Sequence, residues 1–218
     1  KNIQSIYRTA ADQLAEILVE NEFEVITTST IVNKYWRALD ILSTILFKSG
    51  SFEIAIVPYY GSNNAYIIEN WSTKLLKFLG KKVVLVVHGG SLPARLAKNS
   101  TKYLAVLNRV DQVVCPSPYL QYEIGKYGIK SIVIENVLKL SDYQFNLKNT
   151  FRPNIFWMRT FEDVYHPLMA VEVFVKVKAL FPEAKMVMAG GDAGMLAQTK
   201  VLANSLKVIN DISFPGYI

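Results

Sequence analysis

Groups able to do chemistry stand directly after apolar runs in this sequence. His88-Gly89-Gly90-Ser91 follows Val83 to Val87, Arg159 follows Ile155 to Met158, and Gly190-Gly191-Asp192 follows Met186 to Ala189. Glycines at a strand-to-helix turn let backbone N–H groups approach a phosphate, and the next helix adds positive potential at its start. Gly190 and Gly191 are therefore a diphosphate cradle or a structural turn that needs positive φ. A guanidinium at a strand end must find an anion or water, so Arg159 meets a phosphate or pairs with Glu162 or Asp163. His88 projects an imidazole at the end of the most apolar strand, as a functional group or as a satisfied structural histidine. His166 precedes Pro167, the natural first residue of a helix, and reads more as a turn residue than as a base, close to the same rim as Arg159.

Further strand ends carry Pro58-Tyr59-Tyr60-Gly61, Pro116-Ser117-Pro118 and Glu135-Asn136. In wound parallel sheets, ligands bind beyond the carboxyl ends of the strands, and polar and glycine residues gather there in both halves of this chain. Other chemistries lack their residues. There is no P-loop and no G-x-G-x-x-G fingerprint, and without a G-x-S-x-G elbow the tetrad at 88 to 91 is not an esterase signature. Two histidines and one cysteine, far apart, do not suggest catalytic zinc, and no metal or other cofactor is expected.

Positioning these groups requires alternating strands and helices, and the periodicity supplies them. Helical spacing from Ile3 to Leu18 precedes an apparent strand Glu24 to Thr28. Helices follow at Trp36 to Phe47, Ala65 to Leu79, Ala94 to Leu107 and Tyr119 to Tyr127. Strands are expected at Ile54 to Val57, Val83 to Val87, Gln112 to Cys115 and Ser131 to Ile134. Strands as apolar as VVLVV call for helices on both faces, which makes the fold class α/β, doubly wound. A polar stretch from Lys139 to Pro153 places a domain boundary near Thr150. The alternation then restarts with strand Ile155 to Met158, helix Pro167 to Phe181, strand Met186 to Ala189, helix Met195 to Leu206 and strand Ile212 to Phe214. The beginning inside a helix and the ending just after a strand suggest a natural protein that extends in both directions. In a wound sheet the first strand is central, so its loss would leave edges unpaired.

The 218 residues are 51% hydrophobic and 19% charged, enough for a substantial core, and their apolar runs are too short to cross a bilayer. Cys115 alone permits no internal disulfide. It reads as a buried small hydrophobe in a cytoplasmic protein, and the sequons at Asn70 and Asn99 read as chance. A net charge of +6 attracts something anionic. The lysines at 74, 77, 81 and 82, with Arg95, Lys98 and Lys102, form a solvated surface or a patch for the inner membrane face.

These motifs, in this order over residues 83 to 218, resemble the retaining glycosyltransferases of family 4, also called group 1. That family carries a His after a central strand, as in VVLVVHGG, and a Ser after the next, as in VVCPSPYL. Its late V-I-P-N-G strand corresponds here to Val133-Ile134-Glu135-Asn136-Val137, with glutamate and valine replacing proline and glycine. The donor side matches through IFWMRTF, AKMVMAGGD and ISFPGYI.

The resemblance implies a GT-B-type fold of two Rossmann-like, doubly wound parallel-sheet domains, the second incomplete. Residues 1–150 would be the acceptor side without its first strand, and 151–218 the start of the nucleotide-sugar donor domain. It implies sugar transfer from a nucleotide-sugar donor with retention, in carbohydrate biosynthesis, to a glycan, lipid-linked or small-molecule acceptor. No nucleic acid is implied. His88 and Arg159 would be catalytic, with Arg159, His166, Gly190, Gly191, Asp192, Gly216 and Tyr217 at the donor, and Tyr59, Gly89, Gly90 and Ser117 at the acceptor. The guanidinium, the imidazole and the glycine pair at 190 and 191 are expected to face one cleft, with the donor between the two halves. Negative charge builds on the departing diphosphate, and each well-placed donor group offsets on the order of 3 kcal/mol of that barrier.

Two departures qualify these expectations. The family's Lys-Gly after the Arg is replaced by Glu162-Asp163-Val164-Tyr165-His166-Pro167, and its E-x7-E carboxylate pair would lie beyond Ile218. The chain as given is therefore expected not to catalyse. A degenerate partner subunit and a nucleotide-sugar epimerase of the same fold remain the alternatives.

Overall fold

The computed structural model describes residues 9–88, 90–136, 140, 145–147 and 152–218. The chain divides into two compact units, Lys1–Tyr143 and Gln144–Ile218. The sequence boundary near Thr150 lies outside the described residues, as do Ile3, Tyr7, Gly89, Val137 and most of the polar stretch from Lys139.

The first unit opens with α1 (Ala10–Glu20) and α2 (Lys34–Phe47), then runs β1 (Ile54–Tyr59), α3 (Asn63–Phe78), β2 (Lys82–Val87), α4 (Leu92–Lys98), α5 (Ser100–Leu107), β3 (Gln112–Cys115), α6 (Pro118–Gly125) and β4 (Ile132–Val133). A reciprocal cap starts α1. The Thr9 hydroxyl accepts the Asp12 N–H, while the Thr9 N–H donates to the Asp12 carboxylate. The four strands are parallel in the order β1-β2-β3-β4, and Tyr59 lies opposite Val87 at their carboxyl ends.

A core fills the face of this sheet made by Leu85, Val87, Val113 and Cys115, closed by Leu92, Leu96, Val106 and Ile124 from α4, α5 and α6. Both faces of β3 are buried, since Val114 is inaccessible as well. At β1 the outer residues Ile54 and Ile56 are exposed, so burial on two faces deepens from β1 toward β3.

Two expected elements come out differently. Residues 24–28 form no strand, and Phe23 and Ile26 are exposed. Among the described residues β1 pairs with β2 alone, so its outer edge stays open and this β-prone segment does not pair with it. The helix expected over Ala94 to Leu107 is broken at Asn99, whose φ of −154° is not helical and whose side chain accepts the Lys102 N–H at 3.2 Å to start α5. Asparagine prefers that cap position to a helix interior.

The second unit runs β5 (Asn154–Met158), α7 (Pro167–Leu180), β6 (Lys185–Ala189), α8 (Leu196–Ser205) and β7 (Ile212–Gly216). Its strands are again parallel, in the order β5-β6-β7. Phe161, Val171, Phe174, Met186, Met188, Ala203 and Ile212 make its core. Among the described residues no helix is long and apolar enough to cross a membrane.

Candidate functional site

Parallel pairing brings the residues after β1, β2 and β3 to one edge of the first sheet. Tyr59 opposite Val87 makes Tyr60 and His88 neighbours, and their rings stack at 5.6 Å between centroids with 27° between planes. The His88 N–H donates to the Tyr59 carbonyl at 2.8 Å, which extends the ladder one step past β2. Burial lowers the His88 pKa. The ring is therefore neutral at pH 7, with one nitrogen to donate and one to accept.

The turn after β1 is held from α3. Glu69, 5% exposed, accepts the Tyr60 N–H at 2.8 Å and the Gly61 N–H at 3.2 Å through its two oxygens. Burial pushes its carboxyl up to about 7, against the two N–H bonds that favour the anion. Gly61 has φ of 59°, and a side chain there would press on Leu92 and Tyr103.

Tyr59, expected at the acceptor, is fully buried in the first core, and its hydroxyl has no hydrogen-bond partner among the described residues. The exposed aromatic at this strand end is Tyr60. Alternation along β1 decides between them, turning Tyr59 inward with Val57 and leaving Tyr60 as the first residue past the strand. Ser117 begins α6, where its hydroxyl accepts the Leu120 N–H at 3.3 Å. Gly90 is exposed with open space at its Cα, and Gly89 lies outside the described residues. Cys115 is buried and its thiol pKa is raised by burial, as a space-filling residue requires.

In the second unit the rim is built mainly from backbone. The Arg159 N–H donates to the Ala189 carbonyl at 3.1 Å, the Gly190 N–H to the Gly216 carbonyl at 2.8 Å, and the Phe161 N–H to the Gly191 carbonyl at 2.8 Å. These bonds tie the ends of all three strands together. Gly190 has φ of 143°, and a Cβ there would overlap the Arg159 carbonyl, so glycine is required at this position. A Cβ on Gly191 would meet the Tyr217 hydroxyl.

Arg159 is exposed, and its guanidinium lies over the Tyr165 ring at 5.5 Å. Among the described residues it forms no ion pair with Glu162 or Asp163. His166 is exposed in the left-handed region, with φ of 49°, and hands the chain to Pro167 at the start of α7 without capping it through its side chain. Asp192 is committed locally. Its carboxylate accepts the Gly194 N–H at 2.8 Å and the Leu196 N–H at 3.2 Å, and these bonds hold its pKa down. Gly216, with φ of 80°, leads into the exposed Tyr217.

Arg159, Gly190, Gly191, Gly216 and Tyr217 thus share one sheet edge, with the starts of α7 and α8 following β5 and β6. The exposed guanidinium suits an anion, whereas the bare faces of Gly190 and Gly191 are taken up by the Arg159 carbonyl and the Tyr217 ring, which leaves Gly216 as the glycine with open space beside it. Among the described residues no group of three or more His, Cys, Asp or Glu side chains could hold a metal ion. Tyr60, Glu69 and Tyr165 were not singled out by sequence. Position after a strand was the available signal for Tyr60, and the spacing of Tyr165 from Arg159 does not disclose the ring contact.

No protein-family model matches the chain, and no curated protein matches it. Solved structures do. Anabaena HepE, in complex with UDP and glucose, superposes with a TM-score of 0.61 at 12% identity, over 93% of this chain and 58% of that one. A protein of Listeria monocytogenes described as a UDP-N-acetylglucosamine 2-epimerase gives 0.51 at 10% identity, over 94% and 58%. S. aureus MnaA, in a co-structure with UDP, gives 0.51 at 8% identity, over 93% and 58%. The chain therefore spans about 58% of the length of these structures. At such identities the likeness is one of fold, and that fold is α/β with Rossmann-like parallel sheets of the GT-B type.

Proposed function

We propose that the chain is part of a glycosyltransferase that takes sugar from a nucleotide-sugar donor, with the diphosphate held at the carboxyl edge of the β5-β6-β7 sheet. The observation that carries this is Arg159, an exposed guanidinium with no carboxylate partner among the described residues, next to the backbone of Gly190 and Gly191. Transfer leaves negative charge on the departing diphosphate, and Arg159 with nearby N–H groups would stabilise it. Tyr217 and Gly216 would border the nucleotide, and His166 would lie beside the phosphates. Neutral His88, with Tyr60, Gly90 and Ser117, would face the acceptor or the transferred sugar. Likeness to a UDP-bound structure of the same fold supports the donor class. Retention of configuration, a carbohydrate-biosynthetic setting and contact of the basic first unit with an inner membrane face belong to the same proposal. No metal enters it.

Titrating UDP, GDP and ADP against the chain and its Arg159→Ala variant tests the assignment. We expect one of the three to bind, and the variant to bind it about 10- to 100-fold more weakly, the range set by one charge-assisted hydrogen bond. Equal affinity in both proteins would remove Arg159 from the site.

Glu162 and Asp163 favour a second reading, a non-catalytic homologue acting as a partner subunit, because carboxylates after Arg159 repel a diphosphate. Release of nucleoside diphosphate from a nucleotide sugar by a protein carrying this chain would reject that reading. Isotope exchange at the sugar's second carbon would indicate epimerisation instead of transfer.

A further inference from the structure

The inward face of α3 is unusually polar. Glu69, Ser72 and Thr73 are all buried there, ahead of the apolar Leu76. Thr73 is accounted for locally, since its hydroxyl donates to the Glu69 carbonyl at 2.9 Å and accepts from Arg109 at 2.9 Å. Glu69 is different, because its carboxylate reaches out of the helix. A leucine at this position would fill the core without the cost of desolvating a charge. What the glutamate adds is two acceptor oxygens for the first two N–H groups past β1. The first belongs to Tyr60, whose ring stacks on His88.

We infer that Glu69 is a positioning residue, which fixes the turn of Tyr60 and Gly61 and, through the Tyr60 ring, the plane of the His88 imidazole. Its value to catalysis rests on the proposed role of His88 near the sugar, whereas the mechanical link does not. The chain of contacts is short: a buried carboxylate, two backbone N–H groups and one ring stack. Gly61 is itself buried, so its N–H has no water to turn to if the carboxylate is removed.

The surroundings make this link sensitive to protonation. Desolvation is the largest influence on Glu69 and pushes its carboxyl up to about 7, with the Tyr60 and Gly61 N–H bonds opposing. The titratable group that faces it is the Tyr59 phenol from β1, and Tyr66 from α3 and Tyr103 from α5 lie in turn beside that phenol. The nearby cations are engaged elsewhere. Lys102 lies over the Tyr66 and Tyr103 rings, and Arg109 bonds Asn70 and Thr73. A protonated Glu69 turns one acceptor oxygen into a donor, so one of the two N–H groups loses its partner and the turn loosens.

Nuclear magnetic resonance on the full chain tests the link. Imidazole-labelled histidine in a His166→Gln background isolates His88, and labelled glycine reports the Gly61 amide. We expect the Gly61 amide and the His88 ring to show a common transition near pH 7, in addition to the ring's own titration below its ordinary value. Glu69→Gln, which has one acceptor oxygen and no charge, should abolish that transition and reduce the ring-current displacement of His88. Tyr60→Leu should lose the displacement and keep the Gly61 transition, which provides an independent check if the glutamine variant folds poorly. An unchanged His88 signal in Glu69→Gln, or in Tyr60→Leu, would overturn the inference, as would a wild-type Gly61 amide without a transition. None of these signals needs a substrate. Failure of nucleotide binding would defeat the proposed function and leave the positioning link standing.

Discussion

The two units prepare their strand ends in opposite ways. In the first, the groups at the edge are titratable and withdrawn from water, with Glu69 and Tyr59 buried and His88 half-buried. Burial sets their protonation, raising the Glu69 carboxyl and lowering the imidazole. In the second, the cation is permanent and exposed, and the glycines are fixed by backbone packing. A neutral imidazole can both donate and accept a hydrogen bond, while an exposed guanidinium donates only and suits an anion. The two edges thus offer different chemistry, although both are built from the same parallel plan.

The comparison breaks most visibly at Gly190. Gly190→Ala forces a side chain onto the Arg159 carbonyl at a φ of 143°, and we expect a loss of about 3 kcal/mol or more in denaturant unfolding. Gly191→Ala meets only the tip of the Tyr217 side chain, which can swing away. That variant should fold with a smaller loss in the same unfolding measurement. Equal losses in the two variants would mean that the second edge is not held by strand-end packing.

Glu69 gives the next effect, and its sign follows from linkage. The folded carboxyl titrates at about 7 against an ordinary 4.5, so the folded state binds the extra proton between those values. The associated stability is complete below pH 4.5 and is lost as pH rises through about 7, with a total on the order of 3 kcal/mol. Chemical denaturation from pH 4.5 to 8 should show this decline in the wild type and a flatter profile in Glu69→Gln. Parallel profiles would place the carboxyl in a wetter setting than the one described.

The smallest effect belongs to Asp211 in the second unit, which meets Lys185 at 2.6 Å and Lys178 at 3.0 Å. These lysines hold its pKa down. Its contribution is present above the ordinary carboxylate range and is lost as pH falls through the lowered value. As a surface network it should be nearly abolished by 1 M salt. Asp211→Asn should therefore lower the unfolding midpoint slightly at low salt and hardly at all at high salt.

Much of this layout was legible from the residues. VVLVV, QVVC and KMVMA read as strands because apolar runs of that length can be little else between turn residues. His88 and Arg159 stood out because polar groups at the ends of such runs must face the edge. The alternation of β1 was harder to use, since Pro58 and two adjacent tyrosines blur its period, and Tyr59, expected at the acceptor, packs inward in the core with Leu85 and Val87. Residues 24–28 had strand composition but do not pair with the open edge of β1, and pairing is a tertiary property. Glu69 was invisible for a related reason. Its partners are backbone N–H groups eight and nine residues earlier, and a side chain that bonds to backbone imposes no residue type on the other side.

The central claim is that the β5-β6-β7 edge holds a nucleoside diphosphate, and amide resonances test it most directly. Adding whichever of UDP, GDP and ADP binds the chain to glycine-labelled protein should shift Gly190, Gly191 and Gly216 saturably in the wild type, with the shifts much reduced in Arg159→Ala. If all three resonances stay in place while that nucleotide saturates binding elsewhere on the chain, the diphosphate site is not on this edge.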